Sequence, residues 1–399
     1  TADWHLGKRL EHFSRFVEQQ EVLSEICEIA DREDVDAVLV AGDLYDTFNP
    51  PTEATELFYQ TLKKLSANGQ RAVIAIAGNH DSPDRIEAPD PLARACGIFF
   101  AGYPNSHIPK IELETGLQIL ESEPGFMEIK LPRHDFPLRI LLTPYANEVR
   151  MKTFLGIEDD ESELRNLLAE KWLELSEKHC DEKGVNVLLA HLFFMKKGGE
   201  KPEEPNDEKP ILHIGGAQAI FSENIPKQIQ YAALGHLHRK QEISGGSCPV
   251  VYSSSPLGYS FGEANQDKFV MIVDLQPGQP ANVEPIQLKS GKRLLQKRFE
   301  NIEKAVDWLK ENPDTLLELT LATDNFLTAA ERKQLHEAHD GIVTIIPEIR
   351  NKDLMENPGS ETIDPAENME TLFAKYFFHK HQQEPNERLM DLFKEVLAE

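Results

Sequence analysis

Four apolar runs of strand length each stop at a cluster of aspartate, asparagine or histidine: "DAVLVAGD" (36 to 43), "RAVIAIAGNH" (71 to 80), "VNVLLAH" (185 to 191) and "YAALGHLH" (231 to 238). Near-continuous Val, Ile, Leu and Ala predicts strands buried on both faces. Amphipathic helical patterns stand before the first two runs, over 12–30 and 52–67, with apolar residues three and four apart. Strands alternating with helices predict an α/β architecture whose helices cover the sheet. Such sheets put ligands beyond the carboxyl ends of their strands, and all four polar clusters sit at that end.

The remainder divides by composition. "GGEKPEEPNDEKP" (198 to 210) reads as an exposed loop. "VVYSSSPLGYSFGE" and "KFVMIVDLQPG" read as strand, loop, strand and close a first domain over 1–288. A smaller α/β unit is expected over 289–352, with helices at "IEKAVDWLKEN" and "TAAERKQLHEAH" and strands at "LLELTLAT" and "GIVTIIPEI". A Pro/Gly/Glu-rich linker over 353–368 then leads to a helical tail over 369–399. Met369, Leu372, Phe373, Tyr376 and Phe377 stripe one tail helix; Leu389, Leu392, Phe393 and Val396 stripe the other.

Composition limits what the site can serve. The chain has 399 residues, 40% of them hydrophobic, enough for a large core plus smaller units. No apolar stretch approaches the ~20 residues that span a bilayer, and no signal-peptide pattern is present, so a soluble protein without a membrane role is expected. Four cysteines, far apart and without CxxC spacing, suit a reducing cytoplasm and not a thiolate zinc site. A net charge of −26 excludes gripping nucleic acid by overall charge. A nucleic-acid substrate would need a local basic surface, metal ions or a partner.

Asp3 and His5 in "DWH", Asp43 in "GD", Asn79 and His80 in "GNH", His191 in "AH", and His236 and His238 in "GHLH" form the candidate site. Taken singly, each has a structural reading as a turn, a helix cap or a hydrogen-bonded strand end. Their recurrence at successive strand ends points to a shared role. Imidazole, carboxylate and one amide oxygen suit manganese, iron or zinc. Residues two apart in an extended segment point the same way, so each pair, Asp3 with His5 and His236 with His238, can converge. Two like charges ~3.5–4 Å apart need a shared carboxylate, and Asp43 is the natural bridge. His80, beside a ligand, is placed to give a proton to a departing oxygen. A strand is also expected ahead of Asp3. The sequence opens at Thr1 without one; were that strand truly missing, Asp3 and His5 would be poorly held.

"DWH", "GDLYD", "GNHD", "AH" and "GHLH", in this order, resemble the motifs of the calcineurin-like metallophosphoesterases. "TADWHLGKRL", "GDLYDTFNPP", "AGNHDSPDR" and "GHLHRKQ" further resemble the SbcD-type nuclease family. The resemblance implies a sandwich of mixed sheets flanked by helices, with a small α/β cap domain and a helical tail. It implies one metal on Asp3, His5, Asp43 and His238, a second on Asp43, Asn79, His191 and His236, with Mn2+ as the expected ion, and His80 as the catalytic histidine. It also implies a homodimer bound to an SMC-like coiled-coil ATPase of the SbcC type. The two tail helices, too small to bury each other fully, are the candidate contact. Two departures stand out. Some relatives carry histidine where this chain has Asp46, which is expected to support the loop beside the metals, or to cap the helix near Thr52. Ser254 stands where glycine is expected.

The expected activity is a DNA nuclease acting on duplex ends and on single strands or hairpins in DNA end processing, recombination and repair, in the nucleoid-associated cytoplasm. Lys196 and Lys197 in "MKKGG" follow His191 and are candidate phosphate contacts; Lys8, Arg9 and the basic stretch "LKSGKRLLQKRF" (288 to 299) are further hints. Without the resemblance, each is more readily read as solvated surface charge. The enzymatic alternative is a phosphodiesterase or phosphatase for a small molecule or phosphoprotein. A metal-free scaffold is disfavoured, because clustered buried histidines without a cation are costly.

Overall fold

The computed structural model describes residues 1–145, 161–200, 202, 219–323, 327–349, 369–381, 385, 389, 390 and 393. A short hairpin of β1 (Arg9–Leu10) and β2 (Phe13–Ser14) precedes α1 (Phe16–Arg32). Then β3 (Ala37–Ala41), α2 (Thr52–Leu65), β4 (Ala72–Ile76), the short helices α3 (Pro83–Glu87) and α4 (Asp90–Arg94), and β5 (Ile98–Ala101) form a parallel unit in the order β3-β4-β5. β4, "AVIAI", is buried at every position, as an unbroken apolar run requires.

The second sheet has seven strands. It contains β6 (Gln118–Glu123), β7 (Phe126–Lys130), β8 (Pro137–Thr143), β9 (Val185–His191), β12 (Tyr231–Gly235), β13 (Gln241–Glu242) and β14 (Val250–Tyr252), in the order β13-β14-β12-β9-β8-β7-β6. Helix α5 (Glu161–His179) lies between β8 and β9 in sequence, and the short parallel pair β10 (Phe194–Met195) and β11 (Ile220–Phe221) follows β9. Parallel pairing from β8 through β9 and β12 to β14 sets the carboxyl ends of β9 and β12 side by side.

Three apolar layers follow from this order. Ile74, Ile76 and Phe99 of the first sheet meet Met127, Ile140 and Leu189 of the second in a central layer. Val22, Phe58 and Leu62 of α1 and α2 cover the outer face of the first sheet. Leu168 and Trp172 of α5 pack with Leu141 and Leu188 on the outer face of the second. The result is the expected sandwich of mixed sheets flanked by helices.

β15 (Phe269–Asp274) and β16 (Asn282–Gln287) form an antiparallel hairpin. Then β17 (Arg293–Phe299), α6 (Ile302–Glu311), β18 (Thr315–Thr323), α7 (Ala329–Ala338) and β19 (Ile342–Ile349) build a parallel three-stranded sheet with its own core of Leu295, Leu309, Leu319 and Leu335. Leu294, Leu316 and Val343 on its other face meet Leu10 of the first hairpin. The basic stretch over 288–299 therefore carries a strand. The interval expected as a linker, 353–368, lies outside the described residues, as do Leu392 and Val396. In α8 (Met369–His381), Phe373 stacks on Phe393 at 4.0 Å, while Met369 and Tyr376 stay 55% exposed. Among the described residues, no helix is long and apolar enough to cross a membrane.

The opening segment is held more firmly than its position suggests. Thr1 to Leu6 runs beside β3, with Ala41 N–H donating to Thr1, Asp3 N–H to Gly42 and His5 N–H to Asp43, each near 3.0 Å. Trp4 turns inward, fully buried, and meets Phe58 edge-on at 6.1 Å. A cavity of about 490 Å³ lies elsewhere, lined by residues of β3, β9, β12 and β15 and by none of the candidate metal ligands.

Phe58 also packs on Tyr45 at 5.0 Å and on Phe100 at 6.1 Å. Phe58→Ala is expected to lower the unfolding free energy by about 3–5 kcal/mol in urea denaturation. A loss below about 1 kcal/mol would mean that the helices collapse onto the gap.

Candidate metal centre

The strand ends of the two sheets meet at Asp43. Its Oδ1 accepts the His80 backbone N–H at 2.9 Å. Its Oδ2 lies 3.5 Å from His5 Nε2 and 3.4 Å from His191 Nε2, so one carboxylate oxygen stands between imidazoles from two distant segments. Glycines allow this crowding. A Cβ on Gly78 would fall 2.0 Å from Asp43 Oδ1, and one on Gly235 would fall 1.8 Å from the Ala41 carbonyl. Those contacts are impossible for any other residue without moving the backbone.

On one side of Asp43 lie Asp3, His5 and His238, all buried. His5 Nε2 and His238 Nε2 face each other at 3.0 Å. Asp3 Oδ1 accepts the His236 N–H at 2.9 Å, whereas its buried Oδ2 has no hydrogen-bond partner among the described residues. On the other side, Asn79 Oδ1 lies 3.0 Å from His191 Nε2 and 3.1 Å from His236 Nδ1. The His191 Nδ1–H donates to the Ala41 carbonyl at 2.7 Å, which turns Nε2 toward Asp43.

The backbone route to this convergence differs from the one the spacing suggests. Asp3 (φ 55), His5 (φ 44), Asp43 (φ 49) and His236 (φ 108) all occupy the left-handed half of the map, not an extended pleat. Turns at these four positions, not alternation along a strand, bring the side chains inward. Such strain persists where surrounding structure holds it, and it gathers at functional sites.

This donor set fits divalent cations. It is imidazole and oxygen without thiolate, and it contains an orphaned buried carboxylate oxygen and two imidazole nitrogens facing each other. Burial acts on every group. It pushes Asp3 up to about 6, against the pull of His191 and His238. It holds His5 well below the usual imidazole range and lowers His236 to about 3, leaving both as neutral donors. Burial also opposes charge on His191, but the Asp43 and Asp3 carboxylates overcome it and raise this imidazole to about 9. Burial would raise Asp43, yet His191, by charge and hydrogen bond, and then His5, hold it well below the carboxylate range.

Residues 1–240 match the family model described as calcineurin-like phosphoesterase. The whole chain aligns with the SbcD subunit of nuclease SbcCD from Bacillus subtilis at 36% identity, spanning 97% of that protein. The corresponding protein of Rhodobacter capsulatus is 34% identical across 70% of this chain and 66% of its own length. That of Escherichia coli K12 is 28% identical across 84% of this chain and 80% of its own. The chain belongs to the calcineurin-like phosphoesterases, in the SbcD nuclease family.

Membership makes the protein a phosphodiester hydrolase of a dimetal-dependent family, and the clustered residues are where its ions could be held. His80 stands at the edge of the cluster, half-buried, its ring edge-on to His5 at 4.8 Å. Its Nδ1 lies 2.9 Å from the Asp46 carbonyl, a geometry in which Nδ1–H donates and Nε2 is left for other partners. Asp46 does not cap a helix, since Pro51 occupies the N-cap of α2. Its carboxylate instead pairs with Lys8 at 3.4 Å and lies 3.8 Å from His5 Nδ1. Ser254 adopts φ 94, and its hydroxyl accepts the Phe269 N–H at 2.9 Å, a bond that helps hold the turn. Lys196 and Lys197 lie on the exposed turn after β10, outside the cluster, where the Lys197 N–H donates to Glu223 at 3.1 Å.

Sequence reading passed over Asp81, the last residue of "GNHD". It is fully buried and accepts N–H groups from Leu44, Tyr45 and Gly78 at 2.8 to 3.0 Å, tying the Asp43 loop to the His80 loop. Its place directly after the candidate site residues Asn79 and His80 is the available signal. Asp81→Ala orphans three buried donors and is expected to cost about 3 kcal/mol or more in chemical denaturation, with Asp81→Asn intermediate. Equal stability of Asp81→Ala and wild type would show that water replaces the carboxylate.

The raised His191 predicts a proton linkage. Its imidazole is charged below about 9 and would have to lose that proton before Nε2 could bind a cation, so a cation held there should bind more tightly as pH rises through that value. Titration calorimetry in buffers of different ionisation heat should find about one proton released per protein at neutral pH. Zero release would exclude a proton on His191.

Proposed function

We propose that this chain is the nuclease component of a DNA end-processing complex, a two-metal DNA nuclease that cuts duplex ends as a 3'-5' exonuclease and single strands or hairpins as an endonuclease. The observation that carries the reading is the placement of Asp43 Oδ2 between His5 and His191, the geometry a bridging carboxylate needs. One cation would take Asp3, His5, Asp43 and His238; the other would take Asp43, Asn79, His191 and His236. Manganese suits this mixture of imidazole and oxygen donors. Bound there, two divalent cations lower the pKa of a water and neutralise the charge growing on the phosphate.

The chain's own groups supply the rest. The Ala41 carbonyl fixes the His191 tautomer, and the His80 backbone N–H fixes the rotation of the Asp43 carboxylate. His80, anchored through Nδ1 on the Asp46 carbonyl, gives a proton from Nε2 to the departing sugar oxygen. Asp46 orders this loop through Lys8. Lys196 and Lys197 guide the phosphate backbone from the exposed turn beyond β9.

The division into a nuclease domain over 1–288, a cap over 289–352 and a partner-binding tail over 369–399 belongs to the same reading. The net charge of −26 leaves much of the grip on DNA to a partner. The relatives are named as components of a complex, and the half-exposed Met369 and Tyr376 of α8 suit docking on a coiled-coil ATPase. A homodimer of this chain bound to that ATPase, in the nucleoid-associated cytoplasm, completes the proposal.

The test is degradation of an end-labelled linear duplex in manganese and in magnesium, with and without the ATPase partner. Wild type should cleave in manganese, and His80→Ala should lose roughly 10²- to 10⁴-fold in rate, the worth of a general acid. Asp43→Asn should be inactive. No cleavage of any DNA, with turnover of a small phosphodiester at the same site, would replace the DNA reading with the small-substrate one.

A further inference from the structure

We infer that Glu263 is a positioning residue for His238: it holds the imidazole as the Nδ1–H tautomer and so presents Nε2 as a donor to one of the two cations. This rests on the ligand assignment proposed above. Glu263 closes the short turn Phe261–Glu263 and is only 2% exposed. Its Oε1 lies 3.3 Å from His238 Nδ1 and accepts the Tyr259 N–H at 2.9 Å. Its Oε2 pairs with the ammonium of Lys268, itself buried, and lies 3.3 Å from Ser255 Oγ. Lys268 Nζ also donates to the His238 carbonyl at 3.0 Å and to Ser255 Oγ at 2.9 Å.

The chemistry follows from these partners. An ionised carboxylate only accepts hydrogen bonds, so the nitrogen facing Glu263 must carry the proton. The other nitrogen of His238 then keeps its lone pair, and it is this Nε2 that stands 3.0 Å from His5 Nε2. In His191 the Nδ1–H is likewise held, there by the Ala41 carbonyl. A buried carboxylate would be costly alone, and Lys268 is the charge that makes it tolerable. The same loop reaches the opposite wall, because the Tyr259 hydroxyl donates to the Trp4 carbonyl, between Asp3 and His5. One segment from Ser253 to Lys268 thus braces both arms of one metal position.

The merely structural reading is that Glu263 serves only to neutralise Lys268. Mn2+ titration of the full-length protein, with the free ion followed by electron paramagnetic resonance, separates the two. The variants are Glu263→Gln and the double variant Glu263→Gln/Lys268→Met, which leaves no buried cation unpaired. Both ions should bind wild type. In both variants one site should weaken by roughly 10- to 100-fold while the other keeps its affinity. Wild-type affinity at both sites in a double variant that melts like wild type would overturn the role of Glu263. Fewer than two ions on wild type would instead overturn the two-metal reading. If the variants fail to fold, the imidazole nitrogen shifts of ¹⁵N-histidine-labelled, metal-free wild type decide, with His238 assigned by its loss in His238→Asn. The Nδ1–H tautomer is the expected result, and Nε2–H refutes the proposal.

Discussion

The carboxylate of Asp43 is the point on which the two halves of the sandwich depend. It follows β3 of the first sheet, and His191 closes β9 of the second, yet Asp43 Oδ2 and His191 Nε2 are 3.4 Å apart. Two sheets that pack face to face through aliphatic side chains have no other reason to bring polar strand ends so close. The approach is made by backbone. The Ala41 carbonyl accepts from His191, and Gly78 and Gly235 remove the side chains that would hold the loops apart. Packing of the central layer sets where β3, β4, β9 and β12 end, and so the core and the site are one construction.

Around that point the charges are arranged in opposition. His5 and His236 are kept neutral by burial, while His191 is kept protonated by two carboxylates. Without a cation, the cluster stores a buried ion pair and an orphaned carboxylate oxygen, both unfavourable in a dry interior. A doubly charged ion would reverse the balance if, as proposed, these groups serve as its ligands. The same buried groups that burden the metal-free protein would then favour loading. The supports are mostly backbone groups and buried ion pairs: the three N–H groups on Asp81, the Tyr259 hydroxyl on Trp4, and the Glu263–Lys268 pair behind His238.

Periodicity revealed some elements and hid others. β4, β9 and β12 were legible because a strand buried on both faces must be apolar throughout. β6, β7 and β17 were not, since "QILESE", "FMEIK" and "RLLQKRF" mix charged with apolar residues. Pairing to a neighbour, not composition, makes these segments strands, on one side for β6 and β17 and on both sides for β7. The helix pattern over 12–30 lost its first residues to the β1–β2 hairpin, a local antiparallel pair that an amphipathic count does not register.

What the sequence determined by itself was the inventory: polar residues placed after apolar runs, glycines beside several of them, and donor types that suit a divalent cation. Those properties are local, fixed by residue identity and spacing. What only the tertiary structure decided was adjacency. Asp3 and His238, remote in sequence, belong to one cluster because Thr1 to Leu6 lies along β3 and the loop after β12 turns toward it. The left-handed turns at Asp3, His5 and Asp43, the orientation of the His191 ring and the carboxylate behind His238 are likewise tertiary. Each depends on a backbone group or side chain from a distant segment, and no spacing rule along one chain can specify which distant atom will face a given nitrogen.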